Sequence, residues 1–150
     1  MTGKTLKDLA KNLANDFPRS PRRKLGPYII GLRTLDKCRA EINGSIGEYH
    51  FDCPLDKIFF EFTGITADTF KEMAATGATD DAMAAWVEAN ATPREKIEII
   101  KWNNEYRYKR ISEMPDAVQE FLEGYIDEYI PEDKVVYYWF DVYDIEEKRI

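Results

Sequence analysis

The chain is poor in the residues that most often build metal sites and disulfide frameworks, with one histidine and two cysteines in 150 residues. Structural zinc sites usually need paired Cys-x-x-Cys or regularly spaced His motifs, and neither pattern occurs, so no metal site is predicted. Without a secretory signal, both cysteines are expected to be reduced thiols. The Cys and His content therefore predicts a cytoplasmic protein.

Long hydrophobic runs are missing as well. No segment approaches the roughly 18 consecutive apolar residues that a membrane span requires. The chain also lacks a phosphate-binding loop, a dinucleotide fingerprint, a nucleophile elbow and a two-histidine zinc helix. The sequence therefore predicts no membrane partner and no cofactor, and it identifies no reaction.

An excess of positive charge is absent from the chain as a whole, because 28 acidic residues against 21 basic ones give a formal net charge of −7. Nucleic-acid binding requires a basic surface, so we expect no nucleic-acid partner. The charge is unevenly distributed, since residues 1–40 carry ten Lys or Arg against three Asp or Glu. This basic third predicts either a local anion site or charge pairing within the chain.

What the sequence does contain is a helical pattern. Apolar residues repeat at helical spacing, most clearly in residues 118–129 and 135–143. Prolines stand at candidate helix starts, and most are followed by an early carboxylate that suits the helix dipole. They are Pro21, Pro54, Pro93, Pro115 and Pro131. We predict an all-α fold, a single compact domain of seven or eight short helices.

This domain is predicted to divide by composition into three parts. They are an N-terminal helix within residues 1–15, a basic and proline-interrupted linker at 16–26, and the core at 27–150. Inside the core, Asn43-Gly44 suits a helix end but is also a hairpin signal. Residues 43–53 are therefore predicted to form either a loop or a small β-hairpin.

Charged residues that suit ligand binding are concentrated on the helix before Asn43. Arg33 and Lys37 are four residues apart and share a helix face, so they form a cationic pair suited to a carboxylate or phosphate. A solvated face or buried ion pairs would use the same residues. We predict a binding site at the basic helix 33–39 and the loop 45–53. The predicted ligand-binding residues are Arg33, Asp36, Lys37, Arg39 and Tyr49.

Cys53 and His50 are the candidate catalytic residues. Cys53 precedes Pro54 and so occupies a candidate N-cap, where free backbone N–H groups and the helix dipole stabilise a thiolate. His50, three residues earlier, is a candidate base. Against thiol chemistry, Asp56 in the same first turn disfavours a negative sulfur, and the apolar residues after Pro54 favour a buried cysteine.

Two functional hypotheses follow from these residues. The first is a non-enzymatic binding or interaction module that takes a small anionic ligand or an acidic partner. The alternative is an enzyme, which would use either the thiol of Cys53 with His50 or a pair of carboxylates for hydrolysis. A pocket that brings His50 within hydrogen-bond reach of Cys53 would favour the enzyme, and a filled surface would favour the module.

Three motifs also carry a family resemblance. They are PRSPR, an R-x-x-D-K-x-R helix and GEYHF-x-CPLD, within the stretches DFPRSPRRKLGPYIIGLRTLDKCRA and GEYHFDCPLDKIFFEFTGI. The region from about Asp16 to Val87 resembles the bacterial family catalogued as domain of unknown function 5069, with a weaker echo at WFDVYDIEE. The resemblance implies a small, soluble bacterial protein with no assigned reaction. Pro27 stands where members often have glycine, which stiffens that turn.

Overall fold

The computed structural model describes residues 5–150. Within that range the chain forms eight α-helices, one short 3-10 helix and one two-stranded antiparallel hairpin. The strands are β1 (Lys24–Leu25) and β2 (Tyr28–Ile29). The helices are α1 (Leu6–Leu9), α2 (Gly31–Ile42), α3 (Pro54–Thr63), α4 (Ala67–Ala75), α5 (Asp80–Asn90), α6 (Lys96–Arg107), the 3-10 helix Ile111–Glu113, α7 (Asp116–Tyr129) and α8 (Trp139–Glu146). The predicted all-α fold is confirmed.

The chain separates into two compact units, one ending at Lys96 and the other covering Ile97–Ile150. The two units differ sharply in charge. Residues 1–96 carry fourteen Lys or Arg and fourteen Asp or Glu, whereas residues 97–150 carry seven against fourteen. The whole net charge of −7 therefore resides in the second unit.

Helix α2 is the centre of the first unit. Residues 31–40 are buried without interruption, and the helix packs against α1, β1, α3 and α4. Gly31 permits this approach, because a Cβ there would lie 2.7 Å from Leu25 Cβ and 3.0 Å from Phe59 Cε1. A helix that is buried on all sides is usually apolar on all its faces, and the charged residues of α2 depart from this pattern.

An aromatic cluster forms the apolar part of the same unit. The fully buried ring of Phe70 contacts Phe59 and Phe60 of α3 at centroid distances of 5.9 and 5.4 Å. It also contacts Trp86 of α5 and stacks on Phe51, which lies in the loop before α3. The loop at 43–53 is therefore anchored to the core by Phe51.

The N-terminal helix is shorter than the predicted 1–15. Helix α1 covers only Leu6–Leu9 and begins with a capping box between Thr5 and Asp8. Residues 1–4 of the predicted helix lie outside the described residues. Leu13 lies beyond the end of the helix and is buried. Its backbone N–H donates to the carbonyl of Ser45 at 2.7 Å, so it does not take part in a helical hydrogen bond.

Residues 43–53 form a loop of successive turns, and the hairpin lies instead at residues 24–29, across the end of the predicted linker and the start of the predicted core. The reason is local backbone geometry. Gly44, Gly47 and Asp52 have φ values of 72°, 62° and 63°, which interrupt any extended strand. Of the two predicted alternatives, the loop is the one that forms.

The prolines mark helix starts only in part. Pro54 is the first residue of α3 and Pro115 directly precedes α7, as predicted. Pro93 lies ahead of α6, which begins at Lys96, whereas Pro21 and Pro131 lie outside helices, so their predicted helix starts are wrong.

The second unit is held by an apolar cluster formed by α7, α8 and the segments beside them. Ile130, Val142 and Ile145 are buried in it, and Ile126 of α7 packs against them. In the described part of the chain, none of the helices has both the length and the apolar character needed to span a bilayer.

Candidate functional site

Four of the five charged residues of α2 are buried rather than solvated. Arg33, Asp36, Lys37 and Arg39 all belong to the uninterrupted buried stretch of the helix. Moving a charge out of water is costly unless opposite charges and hydrogen bonds compensate it. The sequence left open whether this helix face is solvated or forms buried ion pairs. The structure contains buried ion pairs, and they are arranged in two clusters.

The Lys37 cluster consists of Thr34, Lys37, Cys53 and Asp56. Lys37 Nζ lies 2.9 Å from Asp56 Oδ2, and the two side chains are 3% and 0% exposed. The Thr34 hydroxyl donates to Asp56 Oδ1 at 2.6 Å, and the backbone N–H of Asp52 donates to Oδ2 at 2.9 Å. Both carboxylate oxygens are thus hydrogen-bonded, which is the condition for a stable buried ion.

Cys53 occupies the exposed edge of this cluster. It is the N-cap residue of α3, as predicted, and its backbone N–H donates to Asp56 Oδ2 at 3.4 Å. Lys37 Nζ also donates to Sγ, at 3.1 Å. Cys53 is only partly buried, although the sequence favoured a buried residue. The sulfur therefore lies beside an ammonium group and a helix N-terminus, with the Asp56 carboxylate in the same cluster.

His50 and Cys38 lie in surroundings that differ from those of Cys53. His50 is exposed in the loop, and the side chain that donates to Cys53 Sγ is Lys37 of α2. Cys38 is fully buried in α2, and burial is the main cause that raises its pKa to about 12. Cys53 is therefore the thiol that solvent can reach, and its neighbour is a lysine that sequence reasoning assigned to ligand binding.

The Asp80 cluster consists of Arg19, Asp36, Arg39 and Asp80. Arg19 donates through Nη2 to Asp36 Oδ1 at 2.9 Å and through Nη1 to Asp80 Oδ2 at 2.7 Å. Arg39 donates from Nη1 to Asp80 Oδ1 at 2.8 Å and from Nη2 to the carbonyl of Ala78 at 2.8 Å. Two arginines thus hold one carboxylate at the first turn of α5 and join three segments of the first unit.

The ionisation of this cluster follows from its geometry. The hydrogen bond from Arg19 is the main cause that lowers the pKa of Asp80 to about 2, and Arg39 adds to the effect, while partial burial opposes it. Burial also acts to lower the pKa of Arg19, but its hydrogen bonds to Asp80 and Asp36 outweigh that effect and raise it. Asp80 and Arg19 are therefore both charged near neutral pH.

Asp80→Asn should make the protein less stable at pH 6 but should cost little at pH 2. The folded-state pKa of about 2 lies below the ordinary value of 3.8, so Asp80 contributes stability above about pH 4 and loses it as the pH falls towards 2. Urea unfolding of both proteins across this range measures the difference. Asp81→Asn, at the exposed neighbouring position, is the matched control. A difference that does not change with pH would contradict the assignment.

Arg33 connects α2 to the loop. Its Nη1 donates to the carbonyl of Arg19 at 3.3 Å, and its guanidinium carbon lies 5.6 Å from the centroid of the Tyr49 ring. That distance is within the range of a cation–π contact. Tyr49 itself is half-buried, so it forms part of the surface above the buried guanidinium. The predicted ligand-binding residues of the helix and the loop therefore meet at Arg33 and Tyr49.

Backbone strain occurs next to both ends of the site. Ile30, the buried N-cap of α2, has φ 73° and ψ −37°, and Asp52 before α3 has φ 63°. Positive φ is unfavourable for a β-branched residue and costs about 1–3 kcal/mol. Such strain persists only where the surroundings enforce it, and it is concentrated at functional sites.

Sequence reasoning missed Arg19, Thr34 and Asp80, and it did not predict that Asp56 pairs with Lys37. A partial signal existed for Thr34, which lies one turn before Lys37 on the same helix. Arg19 and Asp80 are 61 residues apart in sequence, so no local spacing could have joined them.

With this geometry established, comparison with known proteins shows the family. A family model described as Domain of unknown function (DUF5069) matches residues 15–149, and the chain therefore belongs to this family. The resemblance that the motifs indicated is thus confirmed and extends through both units. None of the curated proteins matches the chain.

Proposed function

We propose that this member of the DUF5069 family is a non-enzymatic binding module that takes a small anion beside Arg33, Lys37 and Tyr49. The observation that carries the proposal is the concentration of buried cations on α2. A buried ion pair can often be replaced by apolar residues with no loss of stability. Their retention at the centre of the unit therefore supports a role beyond stability.

The size of the ligand follows from access. Lys37 is 3% exposed and Arg33 is equally buried, so a large acidic surface could not reach either group. The half-buried Tyr49 marks the point of the surface where a group as small as a phosphate or carboxylate would bind. A planar guanidinium such as that of Arg33 matches the geometry of the oxygens of such a group, and the ring of Tyr49 lies 5.6 Å from it.

Phosphate, sulfate, acetate and citrate should be screened as stabilisers of the native protein, because a ligand that binds only the native state raises the melting temperature. At least one should stabilise the wild type, by about 2.7 kcal/mol at a hundredfold excess over its dissociation constant. Arg33→Lys should lose this gain, since it keeps the charge but removes the fork. Arg23→Gln, an exposed position outside both clusters, should keep it.

Two results would reject this proposal. One is that no anion stabilises the wild type. The other is that Arg23→Gln lowers the gain as much as Arg33→Lys does, because the effect would then reflect screening of general surface charge.

A second candidate function is thiol chemistry at Cys53. The observation in its favour is Lys37 Nζ at 3.1 Å from Sγ, together with the N-cap position of the sulfur. These features resemble the way in which enzymes activate a cysteine nucleophile. Hydrolysis by paired carboxylates has less support, because Asp36 and Asp56 are buried and bound to Arg19 and Lys37.

A further inference from the structure

Helix α7 of the second unit carries an exposed row of aromatic rings. Phe121 and Tyr129 are 66% and 52% exposed, and Tyr125 lies between them at i+4 spacing. The ring centroids are 5.8 Å apart for Phe121 and Tyr125 and 4.6 Å apart for Tyr125 and Tyr129. These three residues, called here the aromatic stripe, form a continuous surface along two turns of the helix.

The middle residue of the stripe is tethered to α8. The hydroxyl of Tyr125 donates to the carboxylate of Glu146 on α8 at 2.6 Å. Burial and this hydrogen bond both raise the pKa of Tyr125, so the hydroxyl stays protonated and keeps the bond at neutral pH. A rigid aromatic surface loses little entropy when a partner covers it.

The helix around the stripe is acidic. Helix α7 contains five carboxylates and no Lys or Arg: Asp116, Glu120, Glu123, Asp127 and Glu128. The unit as a whole has seven basic residues against fourteen acidic ones. The charge surrounding the exposed rings therefore complements a basic partner and repels an acidic one.

Gly124 lies inside α7, where no described residue packs closely enough to require a glycine. A glycine in a helix interior costs about 1 kcal/mol relative to alanine. A Cβ at this position would have no atom within 4 Å, so no neighbour in the described part of the chain requires its absence. Gly124 is three residues after Phe121 and four before Glu128, beside both the stripe and its acidic border. Its small size allows the backbone of a partner to approach α7 closely.

We propose that the aromatic stripe of α7 is a docking surface for a basic amphipathic helix of a partner protein. The apolar face of that helix would cover Phe121 and Tyr129, its Lys and Arg residues would pair with the surrounding carboxylates, and its backbone would approach at Gly124. Two copies of α7 cannot serve each other in this way, because both carry the same charge.

A synthetic 18-residue helix with leucines on one face and Lys and Arg on the other, labelled with fluorescein, is the probe. Anisotropy titration should show binding to the wild type. Phe121→Ala should weaken it at least about tenfold, as expected for an aromatic hot spot. Gly124→Ala should also weaken binding while raising the melting temperature, a combination that general destabilisation cannot produce. Tyr137→Ala, at a 68% exposed ring outside α7, should change neither.

Three outcomes would overturn the proposal. The first is equal binding of the peptide to wild type, Phe121→Ala and Gly124→Ala. The second is equal binding of a lysine-rich peptide without leucines, which would leave only charge attraction. The third is self-association of the wild type in sedimentation velocity that Phe121→Ala abolishes, because the occupant would then be a second copy of this chain.

Discussion

Lys37→Met should destabilise the protein by about 3–5 kcal/mol, the usual cost of leaving one partner of a buried ion pair uncompensated. Asp56 would lose its cation at 2.9 Å while remaining fully buried. Its hydrogen bonds from Thr34 and the backbone of Asp52 would remain, but they cannot neutralise the charge. Urea unfolding followed by tryptophan fluorescence should show a lower midpoint with an unchanged slope.

Two further variants separate charge from packing. Lys37→Met combined with Asp56→Asn removes both charges and keeps an acceptor for the Thr34 hydroxyl, but its amide NH2 faces the backbone N–H of Asp52, so it should recover part of the loss. Lys57→Met breaks an ion pair with Asp52 that has nearly the same length, 3.0 Å, but its lysine is 54% exposed. It should cost less than about 1 kcal/mol. If the double variant is as unstable as Lys37→Met alone, the lost packing of the lysine stem explains the effect instead.

Iodoacetamide at pH 7 should modify Cys53 at least about a hundredfold faster than Cys38, because the thiolate is the nucleophile and must be accessible. Cys38 is fully buried with a pKa of about 12. Cys53 is partly exposed, and Lys37 donates to its sulfur at 3.1 Å. Mass spectrometry of peptides from native protein sampled over time gives both rates in one experiment.

The same measurement on variants identifies the group that activates Cys53. If Lys37 stabilises the thiolate, the variant with Lys37→Met and Asp56→Asn should react more slowly than Asp56→Asn alone, from which it differs only at Lys37, and His50→Ala should react at the wild-type rate. A rate lost in His50→Ala would assign the role of base to His50 and favour an enzyme. Resistance of both cysteines until urea unfolds the protein would reject thiol chemistry.

The all-α class and several helix boundaries could be predicted from the sequence alone. Pro54 and Asn43-Gly44 mark the start of α3 and the end of α2, because proline and glycine act through their own backbone preferences. The segment before α8 shows where such local signals fail. Val135 and Val136 belong to the apolar pattern of helical spacing in residues 135–143, yet the helix begins only at Trp139. The Asp141 carboxylate accepts the backbone N–H groups of Tyr137 and Tyr138, which fixes the start of α8 there.

The sequence also placed the candidate residues of the site on one helix and one loop. Arg33 and Lys37 could be assigned to a common face because helical periodicity is a local property. Cys53 could likewise be placed at an N-cap from Pro54 alone, and the structure has it there. What these patterns could not predict was that α2 is buried on every side.

The burial of α2, and the partner residues that make this burial energetically tolerable, depend on tertiary packing. Two charged residues one helical turn apart have the same sequence spacing on a solvated helix as on a buried one. The difference lies in the carboxylates that neutralise the cations, and these come from distant segments: Asp56 on α3 for Lys37, and Asp80 on α5 for Arg39. Long-range packing brings those groups within 3 Å, and no spacing along the chain encodes it.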